Sequence, residues 1–376
     1  MVETFYVGRK NMKHDISQKQ QPSQIDESLP TILVVGYFAF ALNESKGQAV
    51  KTQEVFYALQ AAYGKDSLNY LDTYGWKKNP LKLFLQFFTL SRTVQNVIML
   101  PAHNGLNVFS ILLLLAKMLF GCHIYYDVIG GWITNRTASN RILKNILMRF
   151  DGIWVETKKL EQDFLNQGFL NISIVPNFKN VPLVDPQTLP TDMKLPLRLC
   201  TFSRVMEEKG IVDAIRAVEL INDANDVTLF TLDIWGWVDD KFQDQFNTLQ
   251  ARFPSTIRYR GNAKAGDSTA ILSQYDILLF PTHYVTEGIP GTIIDAYASG
   301  VPVVASRWQS FSDIIDDGIT GYGFTLGDVQ ELVDILNKIV LNPNILLPMK
   351  QSCLEKATEF LPQNAVKAIT AAFSKR

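Results

Sequence analysis

The sequence predicts an α/β protein of two facing domains, each a doubly wound parallel sheet, with a cleft between them. Three observations carry this. Apolar runs ending in glycine or a polar turn alternate with helix-period stretches, the pattern of βα units in series. A proline-rich, aperiodic segment, PNFKNVPLVDPQTLPTDMKLP, interrupts the alternation, which then restarts. At 376 residues, the chain exceeds what one core ordinarily holds.

Residues 1–30 are polar and Gln-rich and read as a leader with little to pack. The first strand is TILVVGYF, an apolar run fit for burial on both faces, and GQAVKTQEVFYALQAAYG is the helix after it. Further strands are expected at QNVIMLP, CHIYYDVIG and DGIWVET, closing a first domain over residues 31–190. FSILLLLAKMLFG is interrupted by Lys117 and is too short to span a bilayer, so a buried helix is expected there. The second domain, 191–350, starts with the strand LRLCTFSR and the helix GIVDAIRAVELIND. Strands at VTLFTLDIWG, TIRYRG, YDILLFP and VPVVAS follow, and residues 351–376 are expected to form a helix packing back on the first domain.

Apolar residues make up 47 % of the chain and charged residues 19 %, so a folded core is expected. Net charge is −1, which gives no reason to expect nucleic acid. Charge is uneven, however: residues 1–190 carry 19 Lys+Arg against 14 Asp+Glu, and the remainder 17 against 23. The first half is therefore expected to meet the anionic partner. Cys122, Cys200 and Cys353 have neither metal nor disulfide spacing, which points to a reducing, cytoplasmic compartment.

The chemistry concentrates in YDILLFPTHYVTEGIPGTIIDAYASG, read as strand, loop and helix. Gly288 and Gly291 allow backbone to approach a ligand, and the helix start offers free N–H groups to an anion. Glu287 and Asp295 stand eight residues apart, about 12 Å if helical. That matches the reach from hexose to ribose in a nucleotide sugar, with Glu287 on the transferred sugar and Asp295 on the ribose. Carboxylates suit vicinal hydroxyls. Arg204, at a strand end, and Lys209, before a helix, would grip the diphosphate. Taken singly, the acids read as a cap and a solvated helix residue, and the cations as surface groups; together the four converge on one ligand.

The segments FSR, EKG, EGIPGTIID, GVPVVAS and DDGITG (with Asp317, Gly318 and Gly321) together resemble the family four retaining glycosyltransferases of the GT-B fold. The resemblance is clear over residues 197–325 and looser over 31–180. It departs at Asp295, where the family usually has Glu. It implies two Rossmann-like domains, Arg204 and Lys209 on the diphosphate, Glu287 on the donor sugar and Asp295 on the ribose. It also implies backbone contacts at Gly288, Ile289 and Gly291, and base recognition near Asn262 and Lys264.

In the first half, Gly47 and Gln48 resemble the family's glycine loop, and they read equally as a turn and a helix start. Asp127 stands where family members often place His. Gly130, Gly131 and Trp132 suit a sugar-contacting loop, and His103 is a second candidate for the sugar or acceptor. No metal and no cofactor is expected, the nucleotide sugar being a substrate. Phe84, Phe87, Phe88 and Leu81 at helical spacing, flanked by Lys77, Lys78, Lys82 and Arg92, suggest peripheral contact with a membrane carrying a lipid-linked saccharide acceptor, with Arg141, Lys144 and Arg149 adding charge. The expected function is retaining, metal-independent transfer from a UDP-linked sugar in surface polysaccharide synthesis at the inner membrane face. The alternatives are a catalytically silent nucleotide-sugar-binding or transferase-supporting subunit and a GT-B nucleotide-sugar epimerase.

Overall fold

The computed structural model describes residues 31–40, 47–101, 105–264 and 266–374. The expected leader and His103 lie outside them. The first domain begins with β1 (Ile32–Gly36), α1 (Gly47–Tyr63), β2 (Leu68–Asp72), α2 (Pro80–Ser91), β3 (Asn96–Leu100) and α3 (Leu106–Phe120). It continues through β4 (His123–Asp127), α4 (Ile133–Ser139), α5 (Arg141–Leu147), β5 (Gly152–Val155), α6 (Lys158–Asn166) and β6 (Ile172–Ile174). The strands are parallel in the order β2-β1-β3-β4-β5-β6. Every residue of β1 is buried because the sheet is covered on both faces. Ile32 and Val34 join one core with Val55 and Leu59 of α1, whereas Leu33 and Val35 join another with Phe87, Phe109 and Leu147.

The second domain comprises β7 (Leu197–Phe202), α7 (Ile211–Asp223), β8 (Phe230–Trp235), α8 (Gln243–Gln250), β9 (Ile257–Gly261) and α9 (Ser268–Leu272). Then come β10 (Ile277–Phe280), α10 (Gly291–Ala298), β11 (Val303–Ser306), β12 (Gly321–Phe324), α11 (Val329–Leu341) and α12 (Leu346–Ala357). This sheet is also parallel, in the order β12-β11-β10-β7-β8-β9, with α7 and α11 in one core and α10 and α12 in the other. Cys122, Cys200 and Cys353 are free and buried.

The chain crosses between domains twice. The first crossing is the irregular segment after β6. The second lies at 358–361, and α13 (Pro362–Ser374) then packs on α1 in the first domain. Its Phe373 ring lies 5.0 Å from Tyr125 and 5.9 Å from Trp154. The single helix expected from residue 351 is thus two. Leu361 is extended ahead of Pro362, a conformation that proline imposes on its predecessor and that stops a helix.

Two more differences from expectation matter. Helix α3 is not buried all round: Phe109, Leu113 and Ala116 face the sheet, while Met118 and Leu119 are 74 % and 66 % exposed. It lies on the outside of a sheet, which covers only one of its sides. Strands β2, β6 and β12 were not anticipated, and all three are sheet edges.

Candidate functional site between the domains

The carboxyl ends of both sheets face a cleft of about 390 Å³. Its second-domain wall includes Arg204, Trp237, Asn262, Gly291 and Asp295, and its first-domain wall Lys51, Glu54 and Lys179. Arg204 follows β7 and its guanidinium lies 4.3 Å over the Trp237 ring, in an ion pair with Asp239. Stacking holds a planar cation in a fixed orientation, ready for a bidentate anion. Asn262 also lines the cleft, whereas Lys264 is exposed and does not.

Glu287 and Lys209 do not line this cavity and are paired with each other. The Lys209 ammonium donates to both Glu287 oxygens at 3.0 and 2.8 Å and lies 4.9 Å over the Tyr284 ring. Burial raises the Tyr284 pKa; Glu208 and Glu287 raise it further, and Arg204 opposes them. The Tyr284 ring thus packs against the Lys209 ammonium that pairs with Glu287.

Helix α10 starts at Gly291, so Glu287 precedes it in the loop. Only four of the eight residue steps from Glu287 to Asp295 are helical, a rise of about 6 Å rather than 12 Å. Asp295 is not solvated. It is 3 % exposed, and both its oxygens accept from the Lys179 ammonium, at 2.7 and 2.6 Å. Burial raises its pKa and Lys179 opposes the rise.

The loop before α10 is pressed against the first domain. A Cβ at Gly288 would lie 2.2 Å from a Glu156 oxygen, and one at Gly131 would lie 2.8 Å from the Thr286 carbonyl. Gly288 therefore makes room for a protein carboxylate, not for a ligand. Ile289 is also engaged by protein: its N–H donates to Glu156 (3.2 Å), its carbonyl accepts from Asn177 (2.9 Å), and its side chain is in the core.

Glu156 belongs to a buried cluster at the ends of β4 and β5. The Lys51 ammonium lies 2.6 Å from Glu156, 3.1 Å from Asp127 and 3.0 Å from the Val128 carbonyl. Burial pushes the Asp127 pKa up to about 6; Lys51 opposes this and Glu156 adds to it. Burial works against the Lys51 charge, yet the two carboxylates outweigh it and raise its pKa. Asp127 is thus 1 % exposed and does not line the cleft. Trp132 returns its indole N–H to the Ile129 carbonyl and packs, partly buried, on the first-domain core. Gly130 takes a positive φ of 80° in the same turn. Gly47 opens α1, and the Gln48 amide points to the Leu100 carbonyl at 3.4 Å.

Residues 196–342 match the family model described as glycosyl transferases group 1. That stretch is similar to the group 1 glycosyl transferases. The matched stretch runs from β7 to α11 and includes Arg204, Lys209, Glu287 and Asp295. The chain is 26 % identical over 170 residues to the amylovoran biosynthesis glycosyltransferase AmsK of Erwinia amylovora, covering 44 % of this chain and 41 % of the relative. It is 27 % identical over 169 residues to a glycogen synthase of Pseudomonas syringae pv. tomato, covering 44 % of this chain and 33 % of that one. The matched stretches thus span well under half the length of either relative. The structure of Anabaena Alr3699/HepE in complex with UDP superposes with a TM-score of 0.72 over 92 % of this chain and all of that chain, at 15 % identity. The fold is GT-B.

Of the residues expected at the site, Arg204, Asn262, Gly291 and Asp295 line one cleft, whereas Glu287 and Lys209 do not. Sequence reasoning missed Trp237, Glu54, Lys179 and the Lys51–Glu156 pair. Trp237 closes the run DIWGW just after β8, and its position at a strand end was a usable signal. Lys179 sits in the segment read as a linker, and nothing local marks it as facing the second domain.

Proposed function

We propose that this protein is a retaining, metal-independent glycosyltransferase that transfers a hexose from a UDP-linked donor to a lipid-linked saccharide in surface polysaccharide synthesis. The observation that carries the reading is the cation cluster beside the interdomain cleft, with Arg204 stacked on Trp237 and Lys209 paired to Glu287. The nucleoside diphosphate lies in the cleft, and its phosphates take Arg204 and Lys209 as partners. Glu287, released from Lys209, accepts hydrogen bonds from the sugar hydroxyls. The acceptor hydroxyl attacks the anomeric carbon on the face that the diphosphate leaves. The carbon–oxygen bond to phosphate breaks, and the acceptor proton passes to the departing diphosphate oxygen. The two cations stabilise the charge developing there.

Relatives in amylovoran and glycogen synthesis support the transferase reading, and the UDP complex of HepE supports the donor. The acceptor side rests on the surface of the first domain. Leu81, Leu85, Met118, Leu119 and Ile142 are exposed on α2, α3 and α5, which pack side by side. Lys77, Lys78, Lys82 and Arg141 are exposed around them. Apolar side chains ringed by cations suit an anionic lipid interface, which supports a position at the inner membrane face. Among the described residues no single helix is long and apolar enough to cross a membrane.

Incubation with labelled nucleotide sugars and a membrane lipid extract tests the reading. Glu287→Ala is expected to abolish transfer with its thermal transition retained, and near-normal transfer would remove Glu287 from the site. A second reading, a silent nucleotide-sugar-binding subunit, is favoured by the engagement of both acids with lysines. Binding without transfer to any acceptor would select it.

A further inference from the structure

Lys179 reaches the cleft from the first interdomain crossing and is pinned there. Its own N–H donates to the Phe360 carbonyl at 3.1 Å, and the next residue's N–H donates to Glu54 at 3.2 Å. Its stem passes Gly291, where a Cβ would lie 3.3 Å from the Lys179 Cδ. Its ammonium ends on Asp295. An ammonium has three donors, and Asp295 takes two of them. The Lys179 side chain keeps 22 % exposure, against 4 % for Asp295. Both line the cleft with Glu54, Arg204 and Trp237, but the lysine is the partner that a ligand can reach.

We propose that Lys179 is the specificity residue that contacts the ribose hydroxyls of the bound nucleoside diphosphate, with Asp295 as the positioning residue that aims it. The inference rests on the reading that the cleft takes a nucleoside diphosphate. Asp295 lines the cleft but its side chain keeps only 4 % exposure, because the lysine ammonium stands over both of its oxygens. Its remaining N–H donates to a ribose hydroxyl oxygen, and Glu54, on the same wall of the cleft, is placed to accept a hydrogen bond from a ribose hydroxyl. A 2′-deoxynucleotide leaves the ammonium without that partner in a part-buried site, so the site selects ribonucleotides. Hydrogen bonds to charged groups are worth enough for a preference of about 10-fold or more.

Calorimetric titration of the full chain with UDP, ADP and GDP, each beside its 2′-deoxy counterpart, tests this. The wild type is expected to favour the ribonucleotide it binds by about 10-fold or more. Lys179→Met is expected to weaken that ribonucleotide and bring the preference close to one. Asp295→Asn, which keeps the lysine but loosens its aim, is expected to fall between, and Asp295→Glu to stay nearer the wild type. Thermal denaturation of each variant checks folding. A wild type that binds UDP and deoxy-UDP equally overturns the proposal even if Lys179→Met does not fold, and so does a folded Lys179→Met that keeps the preference. A wild type that binds none of the six nucleotides overturns the underlying nucleotide reading and this proposal with it.

Discussion

Glycines near an expected ligand site invite the assumption that each makes room for the ligand. At Gly288 the room is filled by Glu156, whose carboxylate meets the Ile289 N–H across the domain boundary. A methyl group there overlaps that oxygen. Gly288→Ala is therefore expected to push Glu156 back and lower stability by about 1–3 kcal/mol, the usual cost of overpacking; Gly288→Ala in a Glu156→Ala background should recover most of the loss. A thermal-melt double-mutant cycle measures the coupling. The same contact explains what single residues disclosed in the sequence. Arg204, Lys209 and Glu287 were legible because they stand in the segments FSR, EKG and EGIPGTIID, whose joint pattern resembles a known family. Lys51, Glu156 and Lys179 were not, because each is justified only by a partner more than 70 positions away.

Elements were legible where burial was complete. Strands β1, β3, β10 and β11 are entirely buried and read as continuous apolar runs. Strands β2, β6 and β12 were not, since an edge strand has one free side. LNYLD exposes Asn69 and Tyr70, and GYGF carries two glycines. Helix α3 failed in the opposite sense, because its apolar composition promised burial that its position on the outer face does not supply. Its exposed ridge, with that of α2, yields a prediction at this scale. Leu85→Glu with Met118→Glu is expected to leave the melting temperature nearly unchanged, since both side chains are exposed. Binding to vesicles of phosphatidylglycerol and phosphatidylethanolamine should fall steeply in a sedimentation assay. Undiminished binding would move the membrane contact elsewhere.

For the whole molecule, the alternation of strands and helices and the proline-rich break were enough to read two domains. The closeness of their contact was not, because packing between distant segments leaves no periodic trace. That contact carries a pH dependence. Asp127 titrates near 6 in the folded protein against an ordinary 3.8. Between those values the folded state holds a proton that the unfolded chain releases, so this group's contribution to stability rises as pH falls from 6 towards 4 and is lost as pH rises through 6. Asp127→Asn removes the proton uptake. The wild type is thus expected to gain stability relative to Asp127→Asn between pH 6.5 and 4.5, read as the difference in melting temperature. A constant difference would place Asp127 on an ordinary carboxylate titration.

Because the polypeptide passes from one lobe to the other and then comes home through α13, the two lobes are joined by a pair of tethers. A body held at two points swings about the line between them and resists twisting. The salt link from Lys179 to Asp295 is rooted where the two tethers meet, so any swing about that line has to strain or break it.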